Sequence, residues 1–232
     1  MHTRVYHSGQ PLSRPPRSAA WKRRVLAGLL VLVALYVASV SWLAPAYAVS
    51  GQQTVSLPTA DRTVTPDWPD YGQAAFGAVG YGVLASHQSD QPLATASIAK
   101  IITALAVLQK RPLAADASGP TLTMTQRDVD LFQSYLHRHG SVIAVRAGQK
   151  LSQRQALEAM LLRSANNMAD TLAIWTFGSL QAYQTYANRY VAELGLTDTH
   201  VGLDASGFDP TTTSTASDLV KLGEIALRQA TL

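Results

Sequence analysis

Ala94-Thr-Ala-Ser-Ile-Ala-Lys-Ile-Ile-Thr-Ala-Leu-Ala-Val-Leu108 is the stretch on which the fold turns. From Ile98 to Leu108 the only polar side chains are Lys100 and Thr103. This predicts a helix apolar on all sides and therefore buried in a core. Its first turn nevertheless holds a lysine. The unsatisfied N–H groups there carry partial positive charge and repel an ammonium. An idle buried charge is costly, and a local rule broken in this way marks a functional position.

Residues i and i+3 share a helix face, so Ser97 Oγ and the Lys100 amine can meet. Burial and the helix N-terminus both lower the lysine pKa towards neutrality. A neutral lysine can take the serine proton, giving an acyl-transfer nucleophile with its own base. The Ser97 N–H can help hold an oxyanion. The motif by itself is weak. With 19 Ser and 5 Lys in 232 residues, roughly 0.4 Ser-x-x-Lys matches arise by chance. An arbitrary match is more often an exposed helix start, and the apolar setting is what singles this one out.

The apolar content of 47% suffices for one sizeable core. The absence of cysteine excludes disulfides and thiolate metal sites. The net charge of +4 is misleading, because residues 1–48 hold six Arg or Lys and no acid, leaving 13 basic against 15 acidic residues beyond. Nothing in the remainder suggests a nucleic-acid surface.

Residues 1–24 read as a basic cytoplasmic N-terminus. Val25 to Leu43 follow without a charge, long enough to cross a bilayer, with Lys22, Arg23 and Arg24 on the cytoplasmic side. Ala46-Tyr47-Ala48 has the form of a signal peptidase site. Residues 25–48 are thus a membrane anchor, through 25–47, or a signal peptide cleaved near Ala48. Everything after them lies outside the membrane, tethered or secreted. Residues 49–73, rich in Thr, Ser, Pro, Gln and Asp, read as a linker.

Residues 74–232 form the remaining domain. Ala74 to Ala85 predicts one or two strands. Thr125-Gln-Arg-Asp128 and Ser152-Gln-Arg-Gln155 are capping-box patterns that open helices. Further helices are expected from about Asn167 to Phe177, from Leu180 to Leu194 with Gly195 as the stop, and after Thr215-Ala-Ser-Asp218. Thr199 to Pro210 reads as a loop. His137 and His139 stand too far from other ligand types to argue for a metal and read as a solvated loop. Ser164-Ala-Asn166 lies between two apolar helices. By itself it reads as a helix stop and cap, but a rigid hydroxyl and amide also suit an acyl-transfer site.

Ser97-x-x-Lys100 at a buried helix start, followed by Ser164-x-Asn166 between helices, resembles the penicillin-recognising serine enzymes. Three ordered blocks narrow this: ATASIAKIITALAVL, GQKLSQRQALEAMLLRSANNMADTLA and ELGLTDTHVGLDASGFDPTTTSTASDLVKLGEIAL. They are similar to the low-molecular-mass D-alanyl-D-alanine carboxypeptidases, the S11 family of serine peptidases, over roughly Ala74 to Gln229. The resemblance implies an α+β, β-lactamase/transpeptidase-like fold, with helices around the catalytic helix packed on an antiparallel sheet. It implies a peptidoglycan stem peptide ending in D-Ala-D-Ala as substrate and β-lactams as inhibitors, with no cofactor or metal. Ser97 is then the acyl-ester nucleophile, Lys100 the proton acceptor, Ser164 the proton relay and Asn166 a substrate ligand.

There are two departures. Ser-Ala-Asn-Asn stands where the family usually has Ser-Gly-Asn-Asp, which keeps both polar roles. The family's Lys-Thr-Gly strand element has no counterpart, since the only lysine after Ser164 is Lys221 in Val-Lys-Leu-Gly-Glu. The chain is read as an incomplete copy whose C-terminal strands are missing, or else as a divergent protein without substrate-carboxylate recognition. A non-catalytic cell-wall-binding relative and a β-lactamase of the same fold are the alternatives. The latter needs a deacylating glutamate, and Glu193, at a helix end, reads instead as solvated.

Overall fold

The computed structural model describes residues 18–43 and 66–232, with side chains described for 21–38 and 66–232. The chain separates into two units, Met1–Thr63 and Val64–Leu232.

In the first unit, Ser18–Leu43 form helix α1. Among the described residues no helix is long and apolar enough to cross a membrane, in contrast to the span expected over 25–47. Residues 44–48, with the expected cleavage pattern, lie outside the described residues, as does most of the expected linker.

The second unit is α+β. An antiparallel hairpin of β1 (Ala74–Ala78) and β2 (Gly82–His87) comes first, in the register Ala74↔His87 and Ala78↔Gly82. Strand β3 (Leu93–Ala94) and a 3₁₀ turn (Ala96–Ile98) lead into α2 (Ala99–Lys110). Strand β4 (Thr121–Thr123) precedes α3 (Gln126–His137). Strand β5 (Lys150–Ser152), paired with β4, runs into α4 (Gln153–Leu162). After α5 (Asn166–Phe177) and α6 (Leu180–Glu193), β6 (Thr213–Ser214) pairs with β3 and opens α7 (Ala216–Leu227).

Helix α2 is the axis of the core, as its all-round apolarity predicts. Ile102, Ala104, Leu105, Ala106 and Val107 are at most 1% exposed, and α4, α5, α6 and α7 all pack against it. Ala104 and Ala106 on α2 and Ala169 and Ala173 on α5 are fully buried, and the two helices pack against each other. Ile98 departs from the expectation. It is 42% exposed, because the chain enters α2 through a 3₁₀ turn that faces outward. Helix α7 lies on the hairpin, where a Cβ at Gly77 would stand 2.6 Å from Val220 Cγ1.

The caps predicted from sequence are in place. The Thr125 N–H and hydroxyl donate to Asp128 Oδ2 at 2.6 and 2.7 Å. Ser152 Oγ accepts from the Gln155 N–H at 3.2 Å, while the Ser152 N–H donates to Gln155 Oε1 at 2.9 Å. Gly195, at φ +75°, ends α6 in the left-handed conformation that glycine adopts without strain. Helix α5 begins one residue before the expected start, with the Asn166 N–H donating to the Ser141 carbonyl at 2.8 Å.

Candidate active site

The turn that carries Ser97 is entered through Ala96 at φ +46°, and Ser164 sits at φ +53° after the end of α4. Left-handed backbone at non-glycine residues costs about 1–3 kcal/mol each and persists only where the surroundings enforce it. Both strained residues border one polar cluster. Lys100, the second residue of α2 and 2% exposed, donates from Nζ to Ser97 Oγ at 3.0 Å. Ser164 Oγ donates to Ser97 Oγ at 2.9 Å. Helix α2 and the α4–α5 junction thus bring two hydroxyls and one amine together.

The electrostatics follow the sequence argument. Burial pushes the Lys100 ammonium down from 10.5 to about 8, although the carboxylates of Asp204 and Asp170 pull it upward. A substantial neutral fraction therefore exists at mildly alkaline pH. The free amine can accept the Ser97 proton directly across the 3.0 Å contact.

Asn166 lies at the first position of α5 and is 3% exposed. A Cβ at Gly140 would come within 2.8 Å of its Nδ2 and 3.2 Å of the Tyr135 carbonyl oxygen, so a side chain there would push the amide aside. Among the described residues no hydrogen bond joins the Asn166 side chain to the Ser97–Lys100–Ser164 trio. Its neighbour Asn167 acts as a strand surrogate. Oδ1 accepts from the Ile143 N–H at 3.1 Å and Nδ2 donates to the Ile143 carbonyl at 3.0 Å, pinning the loop that passes over Asn166.

Sequence reasoning missed the loop 204–209, which it left as a plain connection. Lys100 Nζ donates to the Ser206 carbonyl at 3.0 Å, so this loop supplies the second anchor of the amine. Asp204 builds the loop. Its Oδ1 accepts from the Ser206 N–H at 2.6 Å and the Ser206 hydroxyl at 2.7 Å, and Oδ2 from the Asp209 N–H at 2.6 Å. Asp170 on α5 was missed too, although a lone acid in Asn-Asn-Met-Ala-Asp-Thr-Leu-Ala-Ile-Trp breaks the same rule as Lys100 does in α2. Two residues considered in the sequence fall away from the cluster. Glu193 forms an exposed ion pair with Arg189 at 3.4 Å, and Lys221 pairs with Asp218 at 2.9 Å. His137 and His139 are both exposed.

This fold is shared with solved penicillin-recognising peptidases. The Streptomyces K15 DD-transpeptidase superposes with a TM-score of 0.60 at 25% identity, over 69% of this chain and 61% of that one. A D-alanyl-D-alanine carboxypeptidase from Mycobacterium tuberculosis H37Rv superposes with a TM-score of 0.55 at 27% identity, over 68% and 55%. The D-alanyl-D-alanine carboxypeptidase family model matches residues 79–232, and the chain belongs to that family, peptidase S11. Among curated relatives, the carboxypeptidase DacC of Escherichia coli K12 is 30% identical over 184 residues, 76% of this chain. The chain spans 42% of that relative's length.

Proposed function

We propose that this chain carries the nucleophile and proton acceptor of a serine-type D-alanyl-D-alanine carboxypeptidase acting on peptidoglycan stem peptides that end in D-Ala-D-Ala. The observation that carries this reading is the contact of Ser97 Oγ with Lys100 Nζ at 3.0 Å and with Ser164 Oγ at 2.9 Å. Lys100, as the neutral amine, takes the Ser97 proton while Oγ attacks the carbonyl between the two D-alanines. The Ser97 N–H helps hold the developing oxyanion. Ser164 passes the proton to the leaving D-alanine nitrogen as the C–N bond breaks. Water then hydrolyses the ester on Ser97, and Asn166 hydrogen-bonds the substrate. The mechanism calls on no cofactor or metal. β-Lactams acylate the same serine and act as inhibitors.

Family membership supports an extracytoplasmic site, since peptidoglycan lies outside the membrane. The charge step at Lys22–Arg24 supports residues 1–24 as cytoplasmic, 25–48 as anchor or signal peptide, 49–73 as linker and 74–232 as the peptidase domain. The intact mass of the chain after incubation with a penicillin, beside the Ser97→Ala variant, tests the site. The expected result is one adduct on the unaltered chain alone; an equal adduct on Ser97→Ala removes the nucleophile assignment.

A further inference from the structure

Asp170 is 2% exposed and sits one turn beyond Asn166 on α5. Both of its oxygens are used. Oδ2 accepts from the Tyr135 hydroxyl of α3 at 2.7 Å, and Oδ1 accepts from the Ala205 N–H at 2.9 Å. On the other side of the same residue, the Ala205 carbonyl accepts from Thr103 Oγ1 of α2 at 2.6 Å. Thr103 is itself held by the Tyr183 hydroxyl at 2.7 Å. Ala205 is therefore clamped at its N–H by α5 and at its C=O by α2. The next carbonyl along the chain, Ser206, is the one that receives the Lys100 amine.

We propose that Asp170 is a positioning residue for Lys100, fixing the 204–207 loop so that the Ser206 carbonyl aims the amine at Ser97. The proposal rests on the acyl-transfer reading above and extends it to a residue that touches neither the substrate nor the nucleophile. A carboxylate in a near-dry site needs a strong reason to be kept, because burial raises its free energy. Here the reason is twofold. It makes the only described bond to the Ala205 N–H, and its charge favours the Lys100 ammonium in competition with burial. The charged and titratable groups facing Asp170 are Lys100 on α2, Tyr135 and Arg138 at the end of α3, Tyr183 on α6, and Asp204 and Asp209 on the loop. Asp204 opposes ionisation of Asp170 and Lys100 favours it.

The two contributions separate by substitution. Asp170→Asn keeps an acceptor for Ala205 and removes the charge, whereas Asp170→Leu removes both. The test uses the 232-residue chain in detergent with ¹³Cε-lysine. Its five lysines allow Lys100 to be assigned by the signal lost in Lys100→Arg. In Asp170→Asn the Lys100 titration midpoint moves to lower pH, and the acidic limb of acylation by a fluorescent penicillin moves with it. In Asp170→Leu the acylation rate on the alkaline plateau falls about ten- to hundredfold, the scale of a misplaced catalytic group. An unchanged plateau rate in a folded Asp170→Leu overturns the proposal, because that variant removes the acceptor that holds the 204–207 loop. If Asp170→Leu does not fold, Asp170→Ser, whose side chain is too short to keep the Ala205 N–H bond, is read in its place by the same plateau rate. Failure of the unaltered chain to label at all counts against the acyl-transfer reading, while amide exchange over residues 204–207 still decides the role of Asp170: faster exchange in Asp170→Leu than in Asp170→Asn supports it and equal exchange overturns it.

Discussion

Gly207 lies so close to Ala96 that a Cβ at position 207 would collide with the Ala96 carbonyl oxygen and stand 2.7 Å from the Ala99 Cβ. The loop that anchors Lys100 and the turn that carries Ser97 thus meet backbone to backbone. Gly207 also sits at φ +68°, where a side chain is strained whatever the space. Gly207→Ala is expected to lower stability by about 2–4 kcal/mol. It should also slow penicillin acylation at least tenfold, because the displaced partner is the nucleophile's own turn. Urea denaturation and the rate of adduct formation check the two effects separately.

The pH dependence of stability carries opposite signs from two buried groups. Asp170 is pushed up from 3.8 to about 6, chiefly by burial, against hydrogen bonds from Tyr135 and Ala205 that lower it. The folded chain therefore holds a proton that the unfolded chain releases between about 4 and 6, and stability falls as pH rises across that window. Lys100 does the reverse. The unfolded chain holds a proton that the folded chain releases between about 8 and 10.5, so stability climbs with pH there. These two groups alone predict a stability minimum between pH 6 and 8, measurable as the urea midpoint against pH.

Lys100→Met should abolish acylation and yet stabilise the fold at pH 7. The desolvation cost of the ammonium disappears, while the Ser206 carbonyl loses a donor, leaving a net gain of about 1–2 kcal/mol. A thermal midpoint equal to or below that of the unaltered chain would contradict the view that this site is held at the expense of stability.

Ser164 offers the same trade in its backbone. Ser164→Gly relieves the φ of +53° and is expected to gain about 1 kcal/mol, whereas Ser164→Ala keeps the strain. Both lose the hydroxyl and should turn over a D-Ala-D-Ala peptide about 10²-fold or more slowly than the unaltered protein. Comparison of kcat and melting temperature in the pair separates relay from strain.

Asp128 tests the scaffold apart from the chemistry. It is 4% exposed, caps α3 through Thr125 and accepts from Thr171 Oγ1 of α5 at 2.8 Å. Asp128→Ala leaves a buried hydroxyl without its acceptor and should lower stability by about 2–4 kcal/mol. The pH profile of penicillin acylation should stay in place, measured below the new melting transition.

What the chain's order of residues determines by itself is what lies within one turn. The apolar run after Ile98 dictates a buried α2, and i, i+3 spacing brings Lys100 to Ser97. The boxes at Thr125 and Ser152 close on partners three residues away, so each is decided by local stereochemistry and hydrogen bonding. The tertiary structure decides the contacts across distance. Ser164 reaches Ser97 over 67 positions, Ala205 reaches Asp170 over 35, and the Ser206 carbonyl reaches Lys100 over 106. The loops that make these contacts have no periodicity, and the left-handed turns at Ala96 and Ser164 contradict their residues' own preference. Those conformations exist only because α2, α5 and the 204–207 loop pack against one another, and packing between distant segments is a property of the folded core.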